Sequence, residues 1–297
     1  MNILSIQSHV ALGHVGNAAA TLPLQRLGFE VLAVPTVVWS NHAGYGDCGG
    51  PALGAADVAG LIDGLERRGA FAATGGVLTG YLGDAALGPV LLDAVARVRE
   101  ANPAALWCCD PVLGDDYAGL YVGDDVAAFV ANRAVADADI VTPNLFELEF
   151  LGGRAAGSLA GAPVADITAA ARALLGRGEG GRPHLAVVTS VTAEGMRPDA
   201  IAMQAVTADA ARLGVTPRLA IERPPNGAGD LTAALFLAQR LLRPGEPPGT
   251  ALAATAARVF AILEATHAAG ARELALVAAQ DAVLRPPRGF AARGLRI

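Results

Sequence analysis

The residues of this chain best placed to do chemistry are Asn226-Gly227-Ala228-Gly229-Asp230. Two glycines flank one alanine, and an acid follows at the mouth of a Leu- and Ala-rich run, 231–242, that contains no proline. Leu and Ala are strong helix formers, and apolar residues on nearly every face predict a buried helix. Small residues ahead of such a helix leave its first backbone N–H groups bare, where the positive end of the helix dipole can hold an anion such as a phosphate. A carboxylate beside a phosphate repels it, unless that carboxylate takes a proton from a hydroxyl attacking the phosphorus. A small-molecule kinase needs that arrangement. The plain structural alternative is that Asp230 caps its helix, since Asp is favoured at N-caps.

Other polar residues recur where apolar runs stop. Residues 2–7, 30–38, 76–79, 105–109, 139–141 and 184–188 read as strands. They alternate with helical patterns over 18–27, 57–68, 84–100, 124–133, from 145 onward, and 165–175. This rhythm predicts βα units and a mostly parallel sheet. Residues 199–206 and 212–221 read as an antiparallel hairpin at one sheet edge, 249–269 and 272–283 as closing helices, 116–123 as a loop and 285–289 as irregular. In open parallel sheets, ligands collect at the carboxyl ends of strands. That singles out Ser8, Asp110 with Asp115, Thr142 through Glu147, Thr189-Ser190 and Asp230. Plainer accounts exist: Asp110 as a turn-starting Asp before proline, and Thr142 to Glu147 as a capped helix start with an acid in its first turn. His9 and His14 read as loop or core histidines rather than metal ligands.

A chain of 297 residues suits one large α/β domain or two small ones. It carries no linker, repeat or low-complexity segment, so a single domain over 1–297 is the economical reading. All 22 basic residues are Arg, against 28 acidic ones, for a net charge of −6. The absence of a basic run argues against nucleic acid as the main partner. No apolar stretch approaches the roughly 20 residues of a membrane span, and the chain opens on a strand-like run without a basic leader, which reads as cytoplasmic. Cys48, Cys108 and Cys109 fit a reducing compartment and have no metal-ligand spacing; the vicinal pair should point to opposite faces of a strand.

Taken together in their order, several stretches resemble the ribokinase-like superfamily, and within it the pyridoxal kinases, over almost the full length. They are Gln7-Ser8-His9-Val10 with Gly16-Asn17, Ser40-Asn41-His42, Thr79-Gly80-Tyr81, Cys109-Asp110-Pro111-Val112-Leu113-Gly114-Asp115, Thr142-Pro143-Asn144 with Glu147, and Gly227-Ala228-Gly229-Asp230. The resemblance implies an αβα sandwich with a mostly parallel central sheet and antiparallel edge strands. It implies phosphoryl transfer from ATP to the 5′-hydroxymethyl group of pyridoxal or another B6 vitamer, and a homodimer. It assigns Asp230 as the base, with the backbone of Gly227, Ala228 and Gly229 as the anion hole. Asp110, Asn144, Glu147, Thr189, Ser190 and Arg223 fall on the ATP side. Glu147, Asp115, Asp110 and Thr142 fall around Mg²⁺, with Thr142 and Thr189 at a monovalent K⁺ or Na⁺ site in some members. Ser8 would bond the polar edge of the pyridine ring, and Val15, Trp39, His42, Ala43 and Tyr81 would pack around it, with ordinary core as the lesser alternative for Trp39 and Tyr81.

Three departures matter. Ala43 and Ala228 stand where many relatives carry Thr, and Thr189 where some bacterial relatives carry Lys. Losing one hydroxyl hydrogen bond costs about 0.5–1.5 kcal/mol. No Lys exists to replace the missing cation, so positive charge falls to Mg²⁺, helix N-termini and an Arg such as Arg223. A hydroxymethylpyrimidine-type kinase of the same superfamily and a non-catalytic B6- or nucleotide-binding sensor are the competing readings. The intact Asp230 opposes the sensor, because a pure binder gains nothing from an acid facing phosphate.

Overall fold

The apolar run at the start of the chain becomes β1 (Asn2–Val10), whose residues are nearly all buried because helices cover both of its faces. In the computed structural model, which describes residues 1–221 and 225–295, β1 is one of nine strands in a single sheet. The others are β2 (Glu30–Trp39), β3 (Thr74–Thr79), β4 (Leu106–Cys109), β7 (Ile140–Val141), β8 (Leu185–Val191), β9 (Ala200–Val206), β10 (Ala211–Pro217) and β11 (Ala292–Gly294). Their order is β2-β1-β3-β4-β7-β8-β9-β10-β11. Neighbours are parallel from β2 to β8 and antiparallel from β8 to β11.

Helices α2 (Ala55–Arg67), α3 (Leu87–Ala101), α4 (Asp124–Phe129), α5 (Val135–Asp137), α6 (Leu145–Leu151) and α7 (Val164–Arg172) cover one face, through Ile62, Leu91, Val126, Val135, Leu148 and Ile167. Helices α1 (Asn17–Arg26), α8 (Ala228–Leu242) and α9 (Pro248–Ala268) cover the other, through Leu24, Phe236 and Leu252. Cys108 lies in the second core and Cys109 in the first, so the vicinal pair does face opposite ways. The αβα layering and the antiparallel edge expected from sequence are therefore present. No described helix is long and apolar enough to cross a membrane.

Three expectations need correction. The stretch 116–123 is not simply a loop: β5 (Gly114–Asp115) and β6 (Gly119–Leu120) pair as a small antiparallel ribbon. Residues 272–279 are not helical, and only α10 (Gln280–Leu284) forms there, because the preceding backbone is drawn into contacts with the site loops. Past the irregular 285–289, the chain adds β11 to the sheet edge, a strand too short to leave a pattern.

The chain order places β2 and β3 on opposite sides of β1, which makes the carboxyl ends of β1 and β3 a topological switch point, where open α/β sheets bind ligands. The polar residues singled out above gather around that edge.

Candidate active site

Helix α8 starts at Ala228, three residues before the apolar run, because the small residues Ala228 and Gly229 continue its backbone. Its N-cap is Gly227, in the left-handed region at φ +88°; a Cβ there would lie 1.8 Å from the His14 carbonyl oxygen, so only glycine fits. The first helical bond runs from the Leu231 N–H to the Gly227 carbonyl, at 2.9 Å. The amides of Ala228 and Gly229, ahead of it, stand outside the helical ladder. Asp230 is thus the third helical residue and not the N-cap. Its carboxylate accepts the N–H of Gly16 and its own N–H. Burial pushes its pKa up, and those two amides pull it down. Gly16, at φ +54°, leans on Ser8 so closely that a Cβ would come within 2.2 Å of the Ser8 carbonyl oxygen and 2.4 Å of its hydroxyl. Ser8 itself sits at a register shift in the β1–β2 pairing, an irregularity common beside active sites.

Asp110 leaves the end of β4 nearly buried, its N–H bonded to the Thr79 carbonyl at 2.9 Å. One oxygen accepts from the Thr142 hydroxyl at 2.7 Å. The other would be 3.8 Å from a Cβ at Gly229, so Asp110 faces the start of α8. Burial raises the Asp110 pKa well above the usual range, and the charges of Glu147 and Asp230 raise it further. Val112 follows at φ +46°, a genuine strain for a β-branched residue. That turn aims the Leu113 N–H at Glu147 Oε1, 2.8 Å away.

Glu147 and Asn144 form a capping box: the Glu147 N–H donates to Asn144 Oδ1 and the Asn144 N–H donates to Glu147 Oε2, both at 2.9 Å. The plain reading of this segment as a helix cap is therefore correct as geometry. Burial lifts the Glu147 pKa to about 7 despite those amides. Asp115 Oδ1 accepts the Tyr117 and Ala118 amides at 2.9 and 2.6 Å. The Thr189 N–H reaches the Pro143 carbonyl at 2.9 Å, while Ser190, at φ +56°, bulges outward within β8. Thr189 and Ser190 therefore lie within the strand rather than after it.

At the ends of β2 and β3, the rings of Trp39 and Tyr81 sit 5.7 Å apart at 57°. Thr36 donates to the Tyr81 carbonyl at 2.6 Å, Val15 is buried, and His42 Nδ1 accepts the Gly44 N–H at 3.0 Å. Ala43 is exposed in the short turn after His42. Arg223 lies outside the described residues. Sequence reading gave no role to Gly16, which donates to Asp230, and passed over Tyr121, 45% exposed overall, whose hydroxyl is desolvated and lies near enough to Glu147, Asp110, Asp230 and Asp115 for their charges to raise its pKa. The paired ribbon that delivers Tyr121 leaves no periodic signal.

Among the described residues, no basic side chain pairs with Asp110, Glu147 or Asp230. No three acidic, His or Cys side chains there could cage a metal ion. These donors fit Mg²⁺, which keeps several waters and uses one or two carboxylates together with nucleotide phosphates.

Crowded, desolvated carboxylates have a consequence for stability. Folded Glu147 takes up a proton as pH falls through about 7, whereas an unfolded Glu does so near 4.5. The folded state binds more protons in that window, so stability falls as pH rises across it. Asp110 and Asp230 act in the same direction. We expect the melting temperature of nucleotide- and metal-free protein to drop between about pH 5 and about pH 8, and Glu147→Gln to flatten that drop. Identical slopes for the two proteins would remove Glu147 as a source.

No protein-family model matches the chain. Individual relatives do. Pyridoxal kinase PdxY of Rubrobacter xylanophilus is 50% identical over 294 residues, covering 99% of this chain and 97% of its own. Pyridoxal kinase PdxY of Deinococcus radiodurans is 47% identical, covering 98% and 95%. Among solved structures, pyridoxal kinase from Leishmania donovani in complex with ADP and pyridoxamine superposes with a TM-score of 0.87 at 28% identity, covering 99% of both chains.

Proposed function

The chain belongs to the pyridoxal kinase family, and from that premise we infer that it transfers the γ-phosphoryl group of ATP to the 5′-hydroxymethyl group of pyridoxal and other B6 vitamers, giving pyridoxal 5′-phosphate. What carries this reading is Asp230: an acid held by the Gly16 amide at the bare start of α8, opposite Asp110. A carboxylate so placed accepts the proton of the attacking hydroxyl, while the amides after Gly227 stabilise charge on the phosphoryl oxygens.

Asp110, Asn144, Glu147, Thr189, Ser190 and Arg223 make up the nucleotide side. Ser8, Val15, Trp39, His42, Ala43 and Tyr81 make up the vitamin side, and the flat walls of Trp39 and Tyr81 suit a pyridine ring. Glu147, Asp110, Asp115 and Thr142 would hold Mg²⁺, mostly through water; when bound, the ion neutralises phosphate charge that no Lys in this chain can meet. Thr142 and Thr189 would line a K⁺ or Na⁺ site. One nine-stranded sheet with β2 and β11 at its edges supports a single kinase domain over 1–297. A homodimer in the cytoplasm completes the reading.

A coupled assay of ADP release with pyridoxal, ATP and Mg²⁺ tests it. Turnover is expected; none with any B6 vitamer would leave a binding protein. Glu147→Gln is expected to shift the Mg²⁺ titration to higher concentration. An unchanged titration would take Glu147 out of the metal's surroundings.

A further inference from the structure

The segment that fails to be a helix, 272–279, sets three successive residues against the 43–45 turn, the loop at His14 and the start of α8. Arg272 lies over the Tyr45 ring, 3.4 Å from its centroid, and donates to the Gly44 carbonyl at 3.1 Å. Glu273 accepts the Tyr45 hydroxyl at Oε1, 2.7 Å away, and the His14 N–H at Oε2, 3.2 Å away. Leu274 is buried, and its side chain abuts Gly227. Gly13 makes room for the carboxylate: at φ +92°, a Cβ there would land 2.2 Å from Glu273 Oε2. Tyr45 belongs to the turn that follows His42 and Ala43. His14 belongs to the loop that carries Gly16, the donor to Asp230.

We propose that Glu273 is a positioning residue for the vitamin side of the site: by joining Tyr45 to His14 it fixes the ring-binding turn at His42–Ala43 relative to the loop that orients Asp230. The proposal rests on the kinase reading above. Glu273 touches no reacting atom, so its effect passes through two loops. Neither loop carries Asp110, Asn144, Glu147 or Thr189, so the affinity for ATP should change less than that for pyridoxal, although the His14 carbonyl also packs against Gly227. A strut of this kind matters more in a chain with Ala43, where no side-chain hydroxyl helps to fix that turn on the ring.

The test compares Glu273→Ala, Glu273→Gln and Tyr45→Phe with the parent, in the full chain. Two coupled hydrogen bonds are lost in Glu273→Ala, so the KM for pyridoxal should rise about tenfold while the KM for ATP stays within about twofold. Glu273→Gln keeps one acceptor oxygen and should fall between. Tyr45→Phe should reproduce part of the rise and add little in the double variant. Amide hydrogen exchange should quicken together in 11–16 and 42–46 of Glu273→Ala, and not in 145–151. An unchanged KM for pyridoxal, or an equal rise in both KM values, overturns the proposal. If Glu273→Ala does not fold, the two milder variants carry the same comparison. A parent without turnover on any B6 vitamer would sink the kinase reading instead. Exchange alone would then decide the strut, with quickening in both loops upholding it and no change in either overturning it.

Discussion

Asp230→Asn should lower kcat by about 10²–10⁴-fold, the usual worth of a general base, with nucleotide affinity little changed. The substitution isolates proton transfer. Asn keeps the side-chain shape and retains an oxygen for the Gly16 and Asp230 amides, so the loop from Ser8 to Gly16 has no reason to move. It also removes a negative charge near Asp110, whose pKa that charge helps to raise. The variant should therefore bind ATP as well as the parent or slightly better, which separates loss of a base from loss of a site. Steady-state kinetics with pyridoxal, beside a direct measurement of ATP binding, decides it. Near-normal kcat would move the base elsewhere, and Asp110, across Gly229, would be the first group to test.

The parts of this molecule that were legible in the sequence share a physical cause: a long-range demand that leaves a short-range mark. Strands buried on both faces read as apolar runs, which exposed the parallel sheet. Carboxyl ends of such strands must carry the polar groups of a site, which brought out Asp110 and Thr142. Small residues before a buried helix marked the proposed anion hole and the acid that follows it, Asp230. What was not legible depends on pairings distant in sequence. The carboxylate of Glu273 lies 259 residues from its His14 partner and 228 from Tyr45, and the run 272–283 has helical composition. Its local preference loses to those contacts and to the packing of Leu274 on Gly227. Tyr121 escaped notice for a similar reason, since a ribbon of two-residue strands has too few positions to display an alternation. The capping box at Asn144 and Glu147 was ambiguous in the opposite sense. One geometry serves both helix and ligand, so the local pattern could not say whether a ligand comes too.

Gly227→Ala should be among the most damaging single-methyl additions in the chain. The left-handed backbone at φ +88° costs an L-residue about 1–2 kcal/mol by itself. The new Cβ would also stand 1.8 Å from the His14 carbonyl oxygen, a backbone atom that cannot rotate away. Either the start of α8 or the His14–Gly16 loop must shift. The first displaces the amides proposed to meet the phosphoryl group, and the second withdraws the Gly16 N–H from Asp230. We therefore expect a loss of about 3 kcal/mol or more in stability, together with a fall in kcat measured well below the lowered melting temperature. Gly229→Ala is the informative companion. Its Cβ would meet Asp110 Oδ2 at 3.8 Å, an ordinary contact, and its backbone is already helical. That protein should fold like the parent and lose activity only so far as the methyl crowds the phosphoryl site. If both variants melt and turn over like the parent, close packing of the His14 carbonyl on Gly227 does not shape the anion hole. If Gly227→Ala alone collapses while Gly229→Ala stays folded, the shape of the hole is set by the backbone turn before the helix and not by the helix start itself.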